Sequence, residues 1–91
     1  MKPIRYQRHP ELRLTALEGE GVVLHLKEQR YFTVNETGLA LLEALKEPRT
    51  VDELVAGLLA EYEVTSESAK ATTEAFLKQC TDAAVVLEQP E

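Results

Sequence analysis

A chain of 91 residues, 44% of them hydrophobic, is enough for one small domain with a core, and excludes both the large catalytic architectures and wholesale disorder. Lys and Arg number 10 against 16 Asp and Glu, a net charge of −6 that disfavours phosphate-backbone binding, which draws on clustered cations. The single cysteine, Cys80, rules out an internal disulfide framework and a cysteine-based zinc site.

The charge is uneven. Lys2, Arg5, Arg8 and Arg13 against Glu11 give the first thirteen residues a balance of +3, so the remainder carries −9. Pro3 and Pro10 disfavour a regular element here, and residues 1–11 read as a basic N-terminal arm. Such an arm either lies solvated on the acidic body or touches an acidic partner. No apolar stretch of a secretory signal opens the chain, and no run approaches the roughly 18 residues of a membrane span. A cytoplasmic protein without a membrane partner is the expectation.

Leu12-Arg13-Leu14-Thr15-Ala16-Leu17 begins in apolar–polar alternation, the period of a half-buried strand. Gly19 and Gly21 supply a turn signal. Val22-Val23-Leu24-His25-Leu26 is a second strand, with Val22, Leu24 and Leu26 on one face. A polar connection over residues 27–30 leads to a third, Tyr31-Phe32-Thr33-Val34, so the last two form an antiparallel hairpin.

The period then lengthens. Asn35 is a suitable N-cap for a helix carrying Leu39, Leu41, Leu42 and Leu45, which Pro48 stops. Gly38 in its first turn costs roughly 1 kcal/mol relative to Ala, which a close backbone approach would explain. Thr50-Val51-Asp52-Glu53 has the form of a capping box opening a second helix, with the stripe Val51, Leu54, Val55, Leu58, Leu59 and Tyr62.

Thr65 or Ser66 caps a third helix, whose seam is Ala69, Thr73, Phe76, Leu77 and Cys80. One flank of it (Ser68, Ala71, Thr72, Ala75, Gln79, Ala83) is uncharged and mostly small; the other carries Glu67, Lys70, Glu74 and Lys78, with Glu74 and Lys78 placed for a weak ion pair. Small neutral side chains let another backbone come close without burying an unpaired charge. That backbone is either the protein's own or a guest's. Ala84-Val85-Val86-Leu87 is a β-prone run, and residues 88–91 read as a polar tail.

Catalytic chemistry is missing from this reading. His9 and His25 belong to no metal or nucleophile motif, Cys80 sits on an apolar seam, and the four glycines fit no phosphate-binding loop. The expectation is a protein that is not an enzyme and has no cofactor or metal.

The segment Tyr31-Phe32-Thr33-Val34-Asn35-Glu36-Thr37-Gly38, a strand with two aromatics followed by Asn-x-Thr-Gly opening a leucine-rich helix, resembles the PqqD family. The likeness continues through Pro48, Thr50-Val51-Asp52-Glu53-Leu54, the Leu59, Glu61 and Tyr62 close of the second helix, and Ala75-Phe76-Leu77, covering residues 12–87. It implies an α+β, winged-helix-like domain over those residues: a three-stranded antiparallel sheet followed by three helices. It further implies a stand-alone RiPP recognition element, which holds the leader of a ribosomally made precursor peptide for modifying enzymes. Those enzymes would be a leader peptidase and cyclase in a lasso-peptide pathway, or a radical-SAM enzyme in pyrroloquinoline quinone biosynthesis.

In that family the leader adds as a strand to the third strand, in a groove closed by the third helix. Carried onto this sequence, the peptide-binding residues are Arg30, Tyr31, Phe32, Thr33 and Val34 on the strand, and Ser68, Thr72, Ala75, Phe76 and Gln79 on the helix. Phe32 and Val34 share the core face, and Tyr31 and Thr33 the face freer to meet a guest. Two departures stand out. Family members often carry Asp where this chain has Thr72, and a Gly-Leu-Val-like ending where it has Ala84-Val85-Val86-Leu87.

Two other readings compete. A winged-helix DNA-binding domain would need cations on its recognition helix, where Lys70 and Lys78 stand among Glu67, Glu74 and Asp82. A structural module would pair through its open strand edge into a homodimer.

Overall fold

The computed structural model describes residues 4–90. Five strands and three helices follow in the order β1 (Ile4–Arg8), β2 (Leu12–Leu17), β3 (Glu20–His25), β4 (Arg30–Asn35), α1 (Glu36–Ala44), α2 (Val51–Glu61), α3 (Ser66–Asp82) and β5 (Val86–Pro90). β2, β3 and β4 form an antiparallel meander in that spatial order, and β1 pairs with β5 in a separate two-stranded sheet. The α+β class, with a three-stranded antiparallel sheet followed by three helices, matches the sequence reading. No helix among the described residues is long and apolar enough to cross a membrane.

Alternation sets the faces of the meander. Leu12, Leu14 and Ala16 of β2 oppose His25, Val23 and Gly21, which in turn oppose Arg30, Phe32 and Val34. Val23 and His25 are buried on this inner face, and Phe32 and Val34 pack against the core. The opposite face carries Val22, Leu24, Tyr31 and Thr33 in neighbouring register positions. Val22, Leu24 and Leu26, grouped as one face from the sequence, are on the outer side, and Leu24 and Leu26 are exposed.

α1 lies under the sheet, and its Leu41 and Leu42, with the C-cap residue Leu45, form the centre of the core with Leu54 and Leu58 of α2, Leu77 of α3, and Val85 and Val86. The caps follow their sequence signals. Asn35 Oδ1 accepts from the Gly38 amide (2.8 Å), Thr50 and Glu53 make both bonds of a capping box, and Thr65 caps α3. On the solvated face of α3, Lys78 pairs forward with Asp82 (3.6 Å) rather than back with Glu74.

The N-terminal segment corrects the sequence reading. Residues 4–8 are a strand paired from Ile4↔Pro90 to Arg8↔Val86, so most of the expected polar tail is its partner. Pro10 lies outside β1, in the turn toward β2, and therefore removes no ladder donor. The strand is also stitched to the link between α1 and α2, with Tyr6 and Arg49 exchanging backbone bonds of 2.7 and 2.8 Å. Arg5 pairs with Glu53 (3.2 Å), and the Arg8 guanidinium donates to the Leu42 carbonyl. Lys2, Pro3 and Glu91 lie outside the described residues.

Candidate functional site

β4 is a margin of the meander: β3 flanks one side, and no strand among the described residues flanks the other. In an antiparallel pair, alternate residues direct their N–H and C=O groups toward the partner, and the remainder point away. The outward half of the β4 backbone therefore offers an unfilled ladder.

α3 runs beside this margin in the opposite direction, and contacts at two heights show it. At the start of β4, Arg30 Nη2 donates to the carbonyl of Ala83 at the end of α3 (3.4 Å). A cation at a helix C-terminus complements the partial negative charge of the last carbonyls. At the far end of β4, the Phe76 ring and the Val34 side chain meet over Gly38, which is buried. A Cβ at position 38 would lie 2.9 Å from Phe76 Cε1 and 3.1 Å from Val34 Cβ, so glycine is what lets the three elements converge.

Phe76 and Ala83 are seven residues apart, on one stripe of the helix. Thr72 and Gln79, at helical spacing from Phe76, share it. Ser68, Thr72, Ala75 and Gln79 are exposed, and Phe76 is half-buried at their base. The uncharged flank read from the sequence thus borders the open margin of β4. Of the strand residues, Phe32 and Val34 face inward, toward the side on which Phe76 packs. Tyr31 (75% exposed) and Thr33 stand on the outer face of the sheet, away from the helix.

Two features mark the corner where the β3–β4 hairpin meets the end of α3. His25 is buried there. Its Nδ1 accepts from the Glu28 amide (3.3 Å), which leaves Nε2 to donate to the Ala84 carbonyl (3.1 Å). The His9 ring lies 4.6 Å away, centroid to centroid, and its own Nδ1 accepts from the Glu11 amide. An apolar run around a single histidine gives no hint of this, because the partners are backbone atoms distant in sequence. The second feature is the turn after α3, where Ala84 adopts φ +60°. Its amide bonds to Thr81 O (3.1 Å) and the Val85 amide to Cys80 O (2.8 Å), the paired bonds of a Schellman motif. The turn that the resemblance associates with glycine is made here by alanine.

Burial pushes the Cys80 thiol up to about 11 and keeps it protonated. Among the described residues, no group of three His, Cys, Asp or Glu could hold a metal ion. The site is a strand margin and a neutral helix flank, an arrangement that can bind backbone and accommodate side chains.

A family model described as coenzyme PQQ synthesis protein D (PqqD) matches residues 20–86. No curated protein sequence matches this chain. The fold is similar to that of TbiB1 in complex with the TbiA(beta) leader peptide, at 22% identity and a TM-score of 0.78, covering 88% of this chain and 93% of that one. It is also similar to lasso peptide synthetase B1 complexed with the leader peptide, at 20% identity and a TM-score of 0.75, covering 90% and 96% of the two chains.

Proposed function

The chain belongs to the PqqD family, and from that premise we propose that it is a RiPP recognition element that binds the leader of a ribosomally synthesised precursor peptide by strand addition. The observation that carries this reading is the open backbone ladder of β4 with the neutral flank of α3 alongside. Two proteins of the same fold are found in complex with leader peptides, which supports it.

In this reading the leader pairs with the outward backbone groups of Arg30–Val34. Main-chain bonds give affinity with little demand on sequence, and alternate side chains supply selectivity. Guest side chains pointing inward meet Phe76, Thr72, Ala75 and Gln79, with Ser68 farther along the flank; those pointing outward pass beside Tyr31 and Thr33. A neutral wall suits this task, because no charge on that flank of α3 is desolvated when the leader covers it. Thr72, where the family often has Asp, offers a hydroxyl without a charge. The protein makes and breaks no covalent bond. It holds the leader so that a modifying enzyme, either a leader peptidase and cyclase or a radical-SAM enzyme, reaches the core of the precursor.

Isothermal titration with the cognate leader tests this reading. Saturable one-to-one binding is expected, with affinity lost in Thr72→Arg and Ala75→Trp while thermal unfolding stays at the wild-type value. Both positions are exposed, so neither change disturbs the core. Retained affinity in both folded variants would rule out the groove, and absence of binding to the wild type would rule out the function.

A further inference from the structure

The opposite margin of the same sheet has a groove of its own. β2 is the other end strand of the meander, and no strand among the described residues pairs with its outer side. Between β2 and α1 lies a cleft of about 560 Å³, floored by Leu12, Leu14, Ala16 and Leu39. Arg8, Arg13 and Lys46 surround it, with Glu43 as the one acid in its lining. Arg13 belongs to the outer face of β2 by alternation, yet its Nη1 donates to the Leu12 carbonyl (3.1 Å), which folds the guanidinium around the strand margin.

Several cations of this molecule are ion-paired, and those around this cleft are not among them. Arg5 pairs with Glu53, Arg49 with Glu47 and Lys78 with Asp82. Among the described residues, no carboxylate lies within ion-pair distance of Arg8, Arg13 or Lys46. Arg8 and Arg13 each donate to a backbone carbonyl and keep further guanidinium donors available. A chain of net charge −6 thus collects three cations around one cleft with a leucine-lined floor, beside an open strand.

We propose that the β2 margin is a second docking groove, which takes an extended, acidic segment of a partner protein whose apolar side chains alternate with Asp or Glu. The strand margin supplies the backbone ladder, the leucine floor receives one set of side chains, and Arg8, Arg13 and Lys46 receive the other. A nucleic acid would satisfy the cations but leave the leucine floor without a partner. The inference goes beyond leader binding and uses no residue of the β4–α3 groove. With one occupant on each margin, the sheet would hold two polypeptides side by side.

The test is an amide NMR titration of the full chain with a short synthetic peptide alternating glutamate and valine. Controls are the same peptide with lysine for glutamate, and a mixed-sequence DNA duplex. Saturable shifts at residues 12–17 and 39–46 are expected. Affinity should fall about tenfold or more in the Arg13→Glu, Lys46→Glu double variant, in keeping with the loss of paired charges at a docking surface. Both side chains are exposed, and Arg13→Gln with Lys46→Gln is the milder pair should charge reversal impair folding. Four results would overturn the proposal: no shifts, shifts at residues 30–34 and 68–79 instead, equal or tighter binding of either control, or unchanged affinity in a folded variant. The cognate leader titrated into the same double variant at high ionic strength, where long-range attraction is screened, keeps the two grooves distinguishable, since its affinity there is expected to be unchanged.

Discussion

Phe76 occupies the space that a side chain on Gly38 would need, with its Cε1 2.9 Å from where a Cβ would stand. Helix propensity alone favours Gly38→Ala by roughly 1 kcal/mol. Overpacking against Phe76 and Val34 costs typically about 1–3 kcal/mol and outweighs that gain. Gly38→Ala should therefore lose about 1 kcal/mol by urea denaturation, and should weaken leader binding because Phe76 lies at the base of the groove. Gly57 is the control: nothing lies within 4 Å of its Cβ position. Gly57→Ala should gain roughly 0.5–1 kcal/mol and leave leader affinity alone. Equal gains at the two positions would show that the contact between α1 and α3 yields at little cost.

Ala84 holds the C′ position of the Schellman motif at φ +60°, where an L-residue with a Cβ pays roughly 1–2 kcal/mol. Ala84→Gly removes that strain, while the greater freedom of glycine in the unfolded chain takes part of the gain back. The expected outcome is a net stabilisation of about 0.5–1 kcal/mol, seen as a higher Tm with little change in leader affinity. A lower Tm would show that the turn is held without strain.

The local signals were legible in the sequence. Asn35, Thr50 and Thr65 cap the helices they announce, and the period-2 run at Tyr31–Val34 put Phe32 and Val34 inward. The flank of α3 was legible too, because helical spacing alone groups Ser68, Thr72, Ala75 and Gln79 and puts Phe76 on the seam beside them. What composition and spacing concealed depends on distant pairing. β1 was hidden because flanking prolines and arginines mimic a solvated arm, and its partner β5 lies at the other end of the chain. In and just after β3, three apolar residues, Val22, Leu24 and Leu26, outvote Val23 in a face count. The core nevertheless takes Gly21, Val23 and His25, since packing of Leu39 against Gly21 and the Ala84 carbonyl near His25 decide the face.

Cys80 should resist alkylation in the native state. Its thiol is buried and pushed up to about 11, so the reactive thiolate is scarce at neutral pH. Iodoacetamide at pH 8 should label it only as fast as the protein opens, and quickly in urea. Prompt native-state labelling would show that the α3 seam is looser than its packing indicates.

Glu53 ties the start of α2 to the chain before it. The Thr50 amide donates to its carboxylate (2.9 Å) and holds its pKa below the ordinary 4.5, a lowering that partial desolvation opposes and Arg5 reinforces. A carboxyl depressed in the folded state contributes stability that is fully present above 4.5 and is lost as pH falls through the folded value. Wild-type stability should therefore decline as acid is added below that point. Glu53→Gln keeps the shape but not the titration, and should show a shallower decline over the same window. Parallel curves for the two proteins would remove Glu53 from the acid response.

Salt should weaken the leader complex if long-range attraction contributes to it. Residues 14–91 carry −9, so the body attracts cationic residues of a leader even though the wall of the groove is neutral. Attraction of this kind acts over a Debye length of about 10 Å at 0.1 M salt and about 3 Å at 1 M, so it is screened well before direct contacts are. Titration at low and high ionic strength should thus raise the Kd, mainly through slower association, with the heat of binding little changed. A Kd independent of salt would assign the affinity wholly to the strand ladder and the side chains of α3.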